Sequence, residues 1–297
     1  MENAKLIDHA KSICLKENIP FNNFIPFTDG SNFVASIDDR NVIKIFPPYH
    51  RHQWESEYRS LDFLQNKLSI PIPEFLSKGE YGGSTYVIMS RVEGISLQNV
   101  WNAFGHEIKR SLLHNLGRLM KEVQAVDASQ LTITPDWDMF IALQLSGFKE
   151  RHQKRGMPEW FMNNVDEFVN ENLYLLPPEL NPVLLTGEYT PFNILVDMQG
   201  NITGMIDFGD AMTGYHEYDL LGPVMFLVSG DKELFKALLN GYGYTHNEIN
   251  DQLQKRLMVL QVLHRYSDFN AQLRIANWKS RADNLKVLME LIFPINS

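Results

Sequence analysis

The hydrophobic period of this chain changes once, close to Ser90. Before that point the apolar residues come in short runs: Phe24 to Phe27, Phe33 to Ile37, Val42 to Phe46, Phe75 to Tyr81 and Thr85 to Met89. Asp-Gly-Ser, Asp-Asp-Arg-Asn and Gly82-Gly83 turns separate several of them. Runs of that length between turn residues read as strands, and a Gly-Gly pair suits the positive φ angles of a tight hairpin. An opening helix precedes them. A second helix, His52 to Leu68, is marked by Trp54, Tyr58, Leu61, Leu64 and Leu68 at helical spacing. From about Ser96 long helical stretches take over: Ile108 to Val126, Trp137 to Phe148, Met157 to Leu173, Lys232 to Leu239 and Asn250 to Leu291. The expected fold class is α+β in two lobes, an N-terminal antiparallel sheet with one long helix and a mainly helical C-terminal lobe. The boundary falls at Ser90 to Gly94, dividing the chain into residues 1–92 and 93–297.

Strands return once within the helical half, and chemistry gathers there. Val183 to Asp197 and Met205 to Ala211 flank a Met-Gln-Gly-Asn turn. A hairpin centred on Gly200 sets Asn193 opposite Asp207, with Cβ atoms about 5 Å apart if the two share a face. An amide oxygen and a carboxylate so placed suit one hard cation such as Mg²⁺, which leaves its other positions to water and phosphate. Glu188 lies on the loop entering the hairpin. A carboxylate beside a metal that holds phosphate is well placed to take a proton from an attacking hydroxyl.

This stretch resembles the catalytic loop and metal motif of the aminoglycoside phosphotransferase family, small-molecule kinases with a protein-kinase-like fold. Their usual pattern is His-Gly-Asp-x-x-x-x-Asn, then Ile-Asp-x-x-Asp/Glu-Ala. Gly187, Asn193, Ile206, Asp207, Asp210, Ala211, Gly214 and Tyr218-Asp219-Leu220 agree with it. Thr186 and Glu188 depart, standing where the family has histidine and the catalytic aspartate. Leu220-Leu-Gly-Pro223 and Gly241-Tyr-Gly-Tyr244 are similar to the hygromycin-type branch. The resemblance implies an ATP- and Mg²⁺-dependent transfer of phosphate to a small hydroxylated, cationic or neutral acceptor such as an aminoglycoside or amino sugar. Glu188 would be the base, and Asn193 and Asp207 the metal ligands. A glutamate base is displaced by about one C–C bond from an aspartate, so the alternative is a nucleotide-binding pseudokinase without transfer.

The first lobe offers the matching nucleotide parts. Lys44, inside an apolar strand, stands where kinases pair a lysine with nucleotide phosphates. Glu57 is similar to the helix glutamate that holds that lysine, with Glu55 as its rival. Gly30, Ser31 and Asn32 form a turn able to present backbone N–H groups to phosphate. Met89 and Arg91 lie in a stretch similar to the hinge that hydrogen-bonds adenine. Asp210 is read as a ligand of a second metal or a substrate amine, or as a cap; Asp219 as a support for the catalytic loop or a helix cap. Asp268 is read as an amine binder or as a core or surface residue.

Composition narrows the partners. A chain of 297 residues with net charge −9 is long enough for a sizeable core and lacks the concentrated positive surface that nucleic acid demands. The Lys149 to Arg155 charge run reads as a solvated helix end, and Gly241 to Gly243 as a helix stop. His50 and His52 lack zinc-ligand spacing. One cysteine, Cys14, points to a reducing cytoplasm. No apolar stretch is long enough for a bilayer. The pattern specifies no oligomeric state.

Overall fold

The computed structural model describes residues 2–28, 30–133, 135–176 and 181–295; Asp29 of the Asp-Gly-Ser turn therefore lies outside the described residues. The chain opens with helix α1 (Glu2–Lys16) and continues into strands β1 (Phe24–Pro26), β2 (Phe33–Ile37) and β3 (Asn41–Phe46). Helix α2 (Arg51–Leu64) precedes β4 (Phe75–Tyr81) and β5 (Ser84–Ser90). These strands form one antiparallel sheet in the order β1-β2-β3-β5-β4. Side chains alternate across a strand, so β3 serves two cores. Ile43 and Ile45 join Ala10, Ile13 and Cys14 of α1, while Phe46 joins Trp54, Leu61 and Leu64 of α2. Lys44 shares the parity of Phe46, which turns it toward α2. The sheet thus carries two helices, one on each face, the opening helix and the helix read over His52 to Leu68.

The C-terminal part starts with β6 (Ile95–Ser96), the single turn α3 (Leu97–Val100), α4 (His106–Ala125), α5 (Trp137–Lys154) and α6 (Glu159–Asn172). Four short strands follow: β7 (Val183–Leu185), β8 (Ile194–Val196), β9 (Ile202–Met205) and β10 (Met212–Gly214). They pair as β6-β8-β9 and β10-β7. The short α7 (Leu221–Pro223) and helix α8 (Lys232–Tyr242) complete the scaffold. Helices α4 and α8 approach to backbone contact at two glycines. A Cβ on Gly117 would meet the Leu238 carbonyl oxygen at 2.3 Å, and one on Gly241 the His114 carbonyl oxygen at 1.9 Å. Gly243 ends α8 in the left-handed region, its N–H donating to Leu239 and Asn240 carbonyls, as the Gly241 to Gly243 stop predicts.

Two expectations change. The helix foreseen over Asn250 to Leu291 is four pieces: α9 (Asp251–Leu263), α10 (Phe269–Gln272), α11 (Trp278–Arg281) and α12 (Leu285–Ile292). Asp268 and Asn284 each cap a new start through a side-chain oxygen, and Asn277 takes φ 54°. Apolar periodicity runs across these breaks and hides them. The Lys149 to Arg155 run is also not wholly solvated, because α5 continues through it and buries His152 completely. No described helix is long and apolar enough to cross a membrane.

Candidate active site

Lys44 occupies the junction between the sheet and the helical part. Its Nζ lies 2.7 Å from Glu57 Oε2 and 2.7 Å from Asp207 Oδ1. Strand parity points the lysine at α2, and Glu57 lies on the buried face of that helix. Glu57 Oε1 also accepts the Phe208 N–H at 3.2 Å, and Asp207 Oδ1 the Gly209 N–H at 3.1 Å. Burial opposes the charge on Lys44, but Asp207 and Glu57 outweigh it and raise its pKa. Burial lifts Glu57 to about 7 against the pull of Lys44. On Asp207 burial is overcome by Lys44 and the Gly209 N–H, and the carboxyl is held below its usual range. Glu57, not Glu55, is the partner of Lys44.

The hairpin differs in register from the expectation. Ile194 pairs with Met205 and Leu195 with Gly204, with a bulge before Val196. Asn193 therefore faces Ile206, whose N–H donates to its carbonyl oxygen at 3.0 Å. Asp207 is not opposite Asn193. It is the first residue past that bond and adopts φ 66°, an uncommon conformation for a non-glycine residue. The bulge absorbs one residue, which counting from Gly200 does not reveal.

Asn193 Nδ2 donates to the Glu188 carbonyl at 3.2 Å and to Glu188 Oε2 at 3.4 Å. The Asn193 amide oxygen and Asp207 Oδ2 accept no hydrogen bond from the described residues. Both are hard donors, so they fit Mg²⁺. No group of three His, Cys, Asp or Glu side chains sits at metal-binding spacing among the described residues. A site with one amide and one carboxylate matches an ion that keeps most of its positions for water and phosphate. Burial, then the charges of Asp210 and Asp207, lift Glu188 to about 8, with Lys44 and Asn193 opposing.

The loop that presents Glu188 is held from behind. Asp219 accepts the Thr186 and Gly187 N–H groups at 3.0 Å each, the supporting role read for it, and burial lifts its carboxyl to about 7. Gly187 has φ 78°, and a Cβ there would meet the Asp210 carbonyl oxygen at 2.3 Å. Thr186 supports the loop through its backbone.

A model of the family described as "Phosphotransferase enzyme family" matches residues 25–253, which is more than half of the chain and includes Lys44, Glu57, Glu188, Asn193 and Asp207. The chain belongs to the phosphotransferase enzyme family. Among solved structures, the GDP complex of aminoglycoside 2'-phosphotransferase-IIIa matches this phosphotransferase with a TM-score of 0.70 at 20% identity, covering 95% of this chain and 97% of that one. The streptomycin-ATP ternary complex of APH(2")-IIa gives 0.62 at 19% identity over 83% and 87%. A thermostable mutant of APH(4)-Ia with ADP and hygromycin B gives 0.59 at 18% identity over 96% of each chain. At these identities the likeness is one of fold.

The remaining candidates of the phosphotransferase divide. Asn32 reaches Gln53 of α2 at 3.0 Å, and Gly30 takes φ 106°. Met89 is buried in β5, and the Arg91 N–H is taken by the Arg40 carbonyl at 2.8 Å, so Arg91 has no free N–H for a base. A cavity of about 740 Å³ lies against this hinge, bounded by Arg91, Glu93, Asp197 and Thr203, but none of Lys44, Glu57, Asp207 or Glu188 lines it. Asp210 is not a cap: Tyr266 OH donates to its Oδ1 at 2.9 Å and Arg265 Nη1 at 3.3 Å. Asp268 caps α10 and lies 3.6 Å from Arg155 Nε. Sequence reasoning missed Gln53 as a site neighbour, although it lies four residues before Glu57 on the same helix face; in the stretch His264 to Phe269, similar to a segment facing the substrate cleft, it singled out Asp268 rather than Arg265 or Tyr266.

Proposed function

We propose that this phosphotransferase moves the γ-phosphate of ATP, with Mg²⁺, to a hydroxyl of a small acceptor in the cytoplasm, the two lobes meeting near residues 92 and 93. The supporting observation is the Lys44–Glu57–Asp207 cluster at 2.7 Å contacts, with Glu188 hydrogen-bonded to Asn193. In this reading Lys44, steadied by Glu57, exchanges its Asp207 contact for the nucleotide phosphates. The Gly30, Ser31 and Asn32 turn covers those phosphates, and the base rests against the Met89 to Arg91 stretch without using the Ser90 or Arg91 N–H groups, which are already bonded to Glu74 and Arg40. Asn193 and Asp207 would hold the cation, which supplies charge neutralisation on the phosphate oxygens. Glu188 takes the proton as the acceptor oxygen bonds to phosphorus and the bond to the leaving diphosphate breaks. Solved relatives carry GDP, ATP or ADP and the aminoglycosides streptomycin and hygromycin B, which supports an aminoglycoside or amino sugar as acceptor.

A second reading, nucleotide binding without transfer, is favoured by Thr186 and Glu188 standing where the family has histidine and aspartate, with the Glu188 carboxyl raised by burial and by the neighbouring Asp210 and Asp207 charges. Turnover of ATP and GTP with aminoglycosides, amino sugars and uncharged polyols separates the two. Glu188→Gln should lower turnover about 100-fold or more while calorimetry still shows Mg-nucleotide binding. Binding without transfer by the parent and by Glu188→Asp would establish the second reading instead.

A further inference from the structure

A chain of hydrogen bonds crosses from the Gly30 to Asn32 turn to the acceptor side of the cleft, and Gln53 is its middle link. Its direction is fixed from one end. The Asp210 carboxylate only accepts, so Gln53 must present its NH₂ group there, with Nε2 at 3.4 and 3.5 Å from the two carboxylate oxygens. That leaves Gln53 Oε1 to accept from Asn32 Nδ2 at 3.0 Å. Asn32 Oδ1 then accepts from the His50 Nδ1–H at 2.8 Å. On the far side Tyr266 OH and Arg265 Nη1 donate to Asp210 Oδ1, and Arg265 Nη2 donates to the Asp210 carbonyl at 2.9 Å.

The lengths are uneven. The links among His50, Asn32 and Gln53 are short, and so is the Tyr266 link to Asp210. The one that crosses between lobes is forked and long, and an approach of about half an ångström would bring it into the ordinary 2.7–3.2 Å range. Slack therefore collects at the lobe boundary. The α2 side chains pack close against Gly209: a Cβ there would touch Glu57 Oε2 at 3.4 Å and Gln53 Cβ at 3.5 Å and press on Asp207 Oδ1 at 3.2 Å. Gln53 is itself buried, so its amide has no bulk water to turn to.

We propose that Gln53 is a positioning residue, an interlobe latch that tightens on Asp210 when the Gly30 to Asn32 turn closes over nucleotide and so sets Tyr266 and Arg265 against the acceptor. This rests on the reading of the cleft as a nucleotide and acceptor site. The test is a cycle built on the two ends of the chain, Asn32→Ala and Tyr266→Phe, read as kcat/KM for Mg-ATP. With the latch, the double variant loses at least about threefold less than the product of the single losses, within the range of coupled residues. In a Gln53→Leu background the two losses multiply. Gln53→Met replaces the leucine variant if that one fails to fold. Simple multiplication in the parent overturns the latch.

Hydrogen exchange on the nucleotide-free protein provides the arm that does not need turnover. Tyr266→Phe should speed exchange of the amides of residues 30–32 in the parent and leave them unchanged in Gln53→Leu. Unchanged exchange in both backgrounds overturns the latch even in an active enzyme. Loss of Mg-ATP binding by the parent overturns the nucleotide reading instead, while the exchange result still judges the chain of bonds.

Discussion

Two charged regions meet at the cleft and are built differently. In the first, Lys44, Glu57 and Asp207 form a compact cluster with both contacts at 2.7 Å. Two of its three members sit on regular elements, β3 and α2. In the second region, around Asp210 and Asp268, the pairs are looser. Arg265 reaches Asp210 at 3.3 Å and Arg155 reaches Asp268 at 3.6 Å, and both contacts involve the irregular segment after α9. His264 lies in that segment, stacked on Tyr218 at 4.7 Å, with burial and then Arg265, Arg151 and Arg155 pushing its pKa down to about 3. The first region fixes a charge for one task. The second balances its charges across longer contacts.

The largest effect should come from removing the shared cation of the first region. Lys44→Met leaves Glu57 buried without its partner, and breaking a buried pair commonly costs 3–5 kcal/mol. Two features pull this to the lower end, about 3 kcal/mol. Glu57, lifted to about 7, can take up a proton, and the Asp207 side chain is 38% exposed. Urea unfolding at pH 7.5 and pH 6 checks both: the deficit of the variant should shrink at the lower pH as Glu57 becomes neutral. A deficit that is equal at both values would show that the cluster stabilises by packing, and would dissolve the contrast.

Sequence made the first region legible and left the second dark for the same physical reason. Lys44 and Glu57 were legible as a likeness to kinase parts, carried on a strand and a helix whose periods are local. The sheet follows from the same local periods, while the bulge in β8 sets Asn193 opposite Ile206 where Asp207 was expected. Asp210 depends on Arg265 and Tyr266, more than fifty residues away in sequence, and on the end of α9 at Leu263, which an unbroken apolar period concealed. The buried face of the Lys149 to Arg155 run was hidden likewise, since a charge run looks solvated until something packs on it.

A smaller effect tests that face. His152 is fully buried between α5 and α9, and its Nε2–H donates to the Val262 carbonyl at 2.9 Å. Burial is the main cause that lowers its pKa to about 4; Arg151 and Arg155 add to it, while Val262 and Asp268 oppose. The ring is neutral when folded and takes a proton when unfolded below about pH 6.5. Its contribution is thus complete above that value and is lost as pH falls toward 4, reaching about 2 kcal/mol lost by pH 5. Thermal melts between pH 7.5 and pH 5 should show a steeper fall in Tm for the parent than for His152→Phe. Parallel curves would exclude His152 as an acid-sensitive point of the second region.

The smallest effect decides what Asp268 does. Its Oδ1 accepts the Asn270 and Ala271 N–H groups at 3.0 and 3.1 Å, which is the work of a cap, and losing a cap costs about 1 kcal/mol. Its other oxygen faces Arg155, so the charge is already balanced before any acceptor arrives. Asp268→Ala should therefore lower stability by about 1 kcal/mol. Asp268→Asn keeps an oxygen for the two N–H groups and should remain close to the parent. Neither change should move KM for an aminoglycoside acceptor if the residue is a cap. An amine-binding role predicts the reverse pattern, because both variants remove the negative charge: KM would rise in each by a similar factor while stability fell only in the alanine variant. Measuring KM and the melting temperature together on the two variants separates these roles, since charge and capping part company only in asparagine.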